Sequence, residues 1–202
     1  MRAKLARLLI LSCLALPPGS SAVEIVGLQV QQHGRRFEVQ AESLMSAPPA
    51  FIYAALADYD NFHRLSGGLA ETRWLERPVD GRGLAYTRID SCVLFFCKVI
   101  ERVEQVVLEP GRAISTTIVP ERSDFRVYST RWTIEEAGGS TRLHFQATME
   151  PDFWLPPVIG KWALRRKLET SARRIGERIE RLHQEGRDLA ELQLPATAAT
   201  AR

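Results

Sequence analysis

From Trp162 to His183 the chain carries its longest single pattern. Apolar residues at Leu164, Leu168, Ala172, Ile175, Ile179 and Leu182 recur in steps of three and four, the period of one helix face. The proline-rich entry Pro151-Asp152-Phe153-Trp154-Leu155-Pro156-Pro157 suits a helix start, because the first turn has no use for the N–H that proline lacks. Glu169 with Arg173, Arg173 with Glu177 and Glu177 with Arg181 are opposite charges four apart. They predict an ion-paired outer face, each pair contributing roughly 0.3 kcal/mol.

Upstream the period changes from helical to alternating. Val23–Gln32 and Arg35–Leu44 are rich in strand formers, with His33-Gly34 as the turn of a hairpin. Ala47-Pro48-Pro49 opens a short helix over Ala50–Ala57, and a second short helix or turn follows through Gly67-Gly68. Six strands then follow: Leu69–Glu76, Leu84–Cys92, Cys97–Leu108, Ala113–Val119, Phe125–Glu135 and Thr141–Met149. Short turn signals, Asp80-Gly81-Arg82-Gly83, Glu109-Pro110-Gly111 and Gly138-Gly139-Ser140, predict antiparallel neighbours. In the last two strands Trp132, Ile134, Leu143, Phe145 and Ala147 alternate with Arg131, Thr133, Arg142, His144 and Gln146. That is a sheet with one dry face. One long helix must cover it, and a curved sheet against a single helix leaves room for an apolar cavity. The class is α+β.

The first 22 residues read as a secretory signal peptide: Arg2, Lys4 and Arg7, an apolar run Leu8–Leu16, and a small-residue site at Ser20-Ser21-Ala22. The run is shorter than the roughly 20 residues a membrane helix needs. Cleavage near Ala22, into a periplasmic or extracellular space, changes the charge balance. The whole chain has 27 Lys+Arg against 24 Asp+Glu; without the three basic residues of the leader it is neutral, with no general attraction for nucleic acid. Residues 23–185 are expected to form one domain, and 186–202 a frayed tail without apolar period.

Several local sequences, in this order of elements, resemble the START-like helix-grip superfamily, and more closely its bacterial polyketide cyclase/dehydrase and coenzyme-Q-binding-like lipid-transport branch. The resemblance rests on Ala47-Pro48-Pro49 before a helix carrying Tyr53 and Leu56-Ala57-Asp58-Tyr59, on Ser123-Asp124-Phe125-Arg126, on Trp132-Thr133-Ile134 followed by Gly138-Gly139-Ser140-Thr141-Arg142-Leu143, and on the Pro-Asp-Phe-Trp-Leu-Pro-Pro entry. It covers Arg35–His183. It implies a helix-grip fold, a curved antiparallel sheet wrapped around the last helix, with a cavity for an apolar small molecule or lipid such as an isoprenoid quinone; in some relatives the cavity catalyses ring closure. It transfers no catalytic residue.

Candidate residues follow from the pattern. Trp74, Tyr86, Tyr128, Trp132, Phe153, Trp154 and Trp162 are candidates for the cavity wall, with core packing as the alternative. Arg88 and Asp90 alternate with Tyr86, and Asp124 and Arg126 with Tyr128. If these faces point inward they supply paired charges for a polar group; otherwise they are an exposed strand face. Cys92 and Cys97 lie ~16 Å apart on a continuous strand, too far for a disulfide, which needs Cα atoms within ~7 Å. A hairpin with Val93, Leu94, Phe95 and Phe96 at its tip brings them opposite one another. Disulfide and free thiols both remain open, and so does the tip as a membrane or cavity-mouth contact or as core. Asp58, Asp60 and His63 have spacing that permits a metal or acid–base site, but turn and capping chemistry explains them as well. No motif calls for a cofactor or metal, and no Gly-x-Ser-x-Gly elbow or phosphate-binding glycine loop occurs.

The expected function is an exported monomer that binds or transfers an apolar molecule; the basic final helix reads either as a contact for an anionic membrane surface or as a solvated face. One alternative is a cyclase/dehydrase-like enzyme using Asp90, Asp124 or Tyr128; a perturbed carboxyl in the pocket would favour it, and tyrosine hydroxyls with paired charges would favour binding. Another is a partner-binding module of an envelope complex, which a filled core would favour.

Overall fold

The structure, a computed structural model, describes residues 23–93, 96–154 and 160–192. The leader, the centre of the Cys92–Cys97 tip, the Pro156-Pro157 helix entry and the last ten residues lie outside that set. Eight strands form one antiparallel sheet: β1 (Glu24–His33), β2 (Arg36–Met45), β3 (Leu69–Val79), β4 (Arg82–Val93), β5 (Phe96–Glu109), β6 (Ala113–Ile118), β7 (Phe125–Ala137) and β8 (Ser140–Pro151). Their order across the sheet is β1-β2-β8-β7-β6-β5-β4-β3. Only the β2–β8 contact joins strands distant in sequence; every other neighbour is a hairpin partner. Tight turns set these hairpins. Asp80 and Gly81 both take positive φ, 50° and 75°, the geometry of a two-residue turn whose twist matches that of the strands. A side chain at Gly81 would also meet the Leu108 carbonyl at 2.8 Å.

Two helices cover the concave face. Helix α1 (Pro49–Ala57) starts on proline and buries Ile52, Ala55 and Leu56 against β6, β7 and the final helix. Helix α2 (Lys161–Glu185) ends at Gly186, in the left-handed conformation (φ 63°) that lets the chain turn off. The expected stripe is its inner face, but its two halves pack differently. Ile179 and Leu182 are fully enclosed, whereas Leu164, Leu168, Ala172 and Ile175 are only half-buried. Gly176 sits between these halves, where β1 comes so close that a Cβ would meet Val23 at 2.7 Å. Beside it Glu180, 3% exposed, reaches across to the turn before α1 and accepts hydrogen bonds from the Ser46 and Ala47 amides.

Two expectations are corrected. The ion pairs of the described residues lie on the sheet and around Arg187; Glu169, Arg173, Glu177 and Arg181 take part in none. Fixing two long exposed side chains costs about as much as such a pair gains in water. The chain after α2 is also not frayed from its first residue. Leu189 is buried, and Arg64 donates to the carbonyls of Ala190 (3.0 Å) and Leu192 (2.8 Å).

Candidate ligand-binding site

Under the N-terminal half of α2 lies an apolar cavity of about 110 Å³. Its roof is Leu168, Ser171, Ala172 and Ile175, and its floor is drawn from β1, β2, β7 and β8, including Leu28, Val39, Trp132 and Phe145. The two aromatic rings of the floor pack 4.3 Å apart by centroid. Strand alternation puts these residues on one face, and the small side chains of Ser171 and Ala172 leave the gap above them. Short residues in a helical stripe lower the roof's reach; that is the local cause of the cavity.

Beyond Trp132 the same sheet face turns polar. Thr130, two residues away on β7, meets Thr116 at 2.9 Å, and Thr116 donates to Glu104 at 3.2 Å. Thr87 donates to the other oxygen of Glu104 at 3.1 Å, and Arg102 approaches that oxygen at 3.6 Å. Arg102 stacks over the Tyr128 ring, 4.1 Å from its centroid. Both charged groups are almost wholly enclosed, Glu104 at 2% exposure. Such a pair persists in the interior only because each charge has partners. Burial alone would lower the Arg102 pKa, but the Glu104 carboxylate and Tyr128 outweigh it and hold the guanidinium above its ordinary value. Burial pushes the Tyr59 hydroxyl well up, and Glu104 adds to the rise. Burial likewise raises Tyr128, with Arg102 opposing it. The Tyr128 side chain is half-buried. Among the described residues Arg102 Nε has no hydrogen-bond partner.

The structure distributes the expected site residues over several places. Trp132 lines the cavity, and Tyr128 faces inward in the polar belt. Trp74 faces inward too but packs in the core, 4.7 Å from the Tyr59 ring. Tyr86 is on the outer face: Trp74 is paired with Ala85, so Tyr86 pairs with Arg73 and points the other way. There its hydroxyl donates to Glu101 at 2.6 Å and Arg73 stacks over its ring. Arg88 and Asp90 share that wet face as an exposed ion pair at 3.1 Å. Asp124 caps the Glu101 amide at 2.9 Å, and Arg126 is exposed and paired with Asp152 at 2.6 Å. A register shift between Phe125 and Val127 separates Arg126 from the inner face that Phe125 occupies. Phe153 packs at the sheet end, edge-on to Phe125, while Trp154 and Trp162 are exposed. Asp60 is structural: it accepts from the Trp74 amide at 3.1 Å and pairs with Arg77 at 2.7 Å. Asp58 binds the Asn61 side chain, and His63, its pKa lowered by burial and by Arg64, contacts Thr72.

Cys92 and Cys97 are opposite one another on β4 and β5, with Cα atoms 4.0 Å apart and a bond between their sulfurs. Of the apolar tip, Val93 and Phe96 close the ladder through their backbones; Leu94 and Phe95 lie outside the described residues. Cys92 also forms one wall of a second, larger depression of about 350 Å³ on the flank of α2, lined by Ser66–Gly68, Trp162, Arg166, Lys167 and Arg174. Sequence reasoning missed this groove and the Arg102–Glu104 belt. The available signal for the belt was the set of inward threonines, Thr72, Thr87, Thr116 and Thr130, on neighbouring strands.

A family model described as polyketide cyclase/dehydrase and lipid transport matches residues 36–180. The chain belongs to that family. The match spans β2 to the enclosed half of α2; it contains the belt and all of the cavity wall except Val23 and Leu28. The START-like helix-grip fold recurs among solved structures. The chain is similar to the Zhui aromatase/cyclase of Streptomyces sp. R1128, with TM-score 0.60 and 15% identity over 75% of this chain and 96% of that one. It is similar to a STAR-related lipid transfer protein of Xanthomonas axonopodis, with TM-score 0.61 and 13% identity over 76% and 98%. A START superfamily protein of Mycobacterium smegmatis gives TM-score 0.57 and 22% identity over 72% and 98%. At these identities the likeness is one of fold. Among curated protein sequences none matches the chain.

Proposed function

We propose that the protein is an exported START-like carrier that binds an apolar small molecule or lipid, an isoprenoid quinone included, beneath α2. The observation that carries this reading is the apolar cavity enclosed by Leu168, Ala172, Ile175, Trp132 and Phe145. Removing ligand surface from water contributes about 25 cal/mol per Å². Apolar cavities of roughly 150 Å³ stay dry and take benzene-sized molecules. The resting cavity therefore suits a ring or chain segment, and a larger ligand is accommodated by lifting the half-buried end of α2. Export is supported by the leader sequence and agrees with a disulfide between Cys92 and Cys97.

Binding is favoured over cyclase-like turnover because no carboxylate is among the described residues that line the cavity, and Glu104, on the same face of the sheet, is already engaged by Arg102, Thr87 and Thr116. A general base needs a lone pair within reach of the proton it takes. The cavity itself speaks against a module that only docks partners, since a filled core would serve that role.

The test is native mass spectrometry of the protein purified from its own cell envelope, followed by organic extraction of whatever it releases. A stoichiometric apolar molecule is expected. Ala172→Phe, which fills the cavity from above, is expected to lose it while unfolding at the same temperature within a few degrees. A clean apo mass that does not change after incubation with membrane extract would overturn the carrier reading.

A further inference from the structure

Six basic residues, Lys161, Arg165, Arg166, Lys167, Arg173 and Arg174, crowd the first half of α2 against a single acid, Glu169. Among the described residues none of the six is in an ion pair. Further along, burial and then the guanidinium groups of Arg174 and Arg181 push the Arg178 pKa below its ordinary value.

Three of these cations converge. Arg166, Lys167 and Arg174 wall the 350 Å³ groove, together with the hydroxyls of Ser66, Thr170 and Ser171, and its described walls hold no carboxylate. Arg174 reaches over the Gly67 backbone, where a Cβ would stand 3.5 Å from its Nη1. Ser171 belongs to the walls of both groove and apolar cavity, so a cationic depression and a greasy one adjoin across one small residue of α2.

We propose that the groove is the headgroup site for an anionic amphiphile, whose phosphate or carboxylate lies among Arg166, Lys167 and Arg174 while its apolar chain passes Ser171 into the cavity. This rests on the carrier reading and names its ligand class. A neutral lipid or a quinone fills the cavity but leaves the three cations without a counterion; a charged head satisfies both depressions at once. Charge-assisted hydrogen bonds from guanidinium and ammonium groups are the recognition chemistry.

The experiment is a titration, followed by native mass spectrometry and Trp162 fluorescence, with three probes below their aggregation concentrations: a lysophosphatidate, the monoacylglycerol of the same chain, and inorganic phosphate. Lysophosphatidate is expected to bind one to one and at least about tenfold more tightly than the monoacylglycerol, the worth of one charge-assisted contact. In the double variant K167E/R174E that preference disappears while monoacylglycerol affinity is unchanged. Equal binding of the two lipids by the wild type, or binding of neither, overturns the headgroup site; the carrier reading stands or falls separately, on the extraction from the cell envelope. Inorganic phosphate bound as tightly as lysophosphatidate reduces the groove to a simple anion site, and sedimentation with anionic vesicles without a one-to-one lipid complex reduces it to a surface contact. Either result overturns the proposal.

Discussion

The two halves of α2 are written in the same pattern and do different work. In the C-terminal half, Ile179 and Leu182 lose all contact with water and Glu180 ties the helix to the turn before α1. In the N-terminal half, Leu168, Ala172 and Ile175 roof a cavity and the outer side carries unpaired cations. Periodicity alone places a residue on the inner face; whether that face is filled depends on what stands opposite. One end of the helix is packed into the core and the other stands over an apolar cavity.

This contrast can be broken most directly by matched truncations. Leu182→Ala is expected to cost about 3 kcal/mol in denaturant unfolding, the usual penalty for a cavity in a packed interior. Leu168→Ala, already beside empty space and half-exposed, is expected to cost under about 1 kcal/mol. Equal penalties would mean that the two halves are packed alike. Glu180→Ala comes next, with an expected loss of about 2 kcal/mol because two amides lose their acceptor in a buried place. Glu180→Gln keeps an acceptor oxygen and should recover most of that stability.

Smaller effects come from the rest of the sheet. Cys92→Ser is expected to cost on the order of 2 kcal/mol for so small a ring in the chain-entropy account; two titratable thiols in the denatured, unreduced protein from Val23 onward would show that the bond is not formed. The smallest change concerns pH. The hydrogen bond to Glu101, with burial adding to it, raises the Tyr86 pKa from 10.0 to about 12, so the folded state holds this proton longer than the unfolded one. The associated stability is complete below pH 10 and is lost as pH rises towards 12. Tyr86→Phe should flatten that part of the alkaline stability profile and leave ligand binding untouched, as befits the outer face.

Much of this architecture is legible in the residues. Alternation locates all eight strands, the three-and-four stripe locates α2, and turn residues such as Asp80-Gly81 fix the hairpins. Facing is harder. Tyr86, Arg88 and Asp90 fall outward because their strand is registered Trp74 to Ala85, and no single strand carries that information. Strand β5 goes against the usual expectation for charged residues: Arg102 and Glu104 point inward, and Thr87 and Thr116 on two other strands supply partners to Glu104. The groove was equally hidden, since it joins α2 to Ser66–Gly68 and Cys92, segments brought together only in the folded chain.

The β2–β8 ladder sets the order in which the molecule can assemble. Glu38 lies opposite Thr148, more than a hundred residues along the chain, whereas every other strand pair closes over a short connection. Hairpins from β3 through β8 can form as soon as their strands exist, but the N-terminal pair must wait for the last strand, and such long loops close slowly. The cavity floor includes Val39 and Ala41 from β2 as well as Phe145 from β8. It therefore comes into being only at this last closure, and a chain still lacking β8 has no enclosed apolar wall.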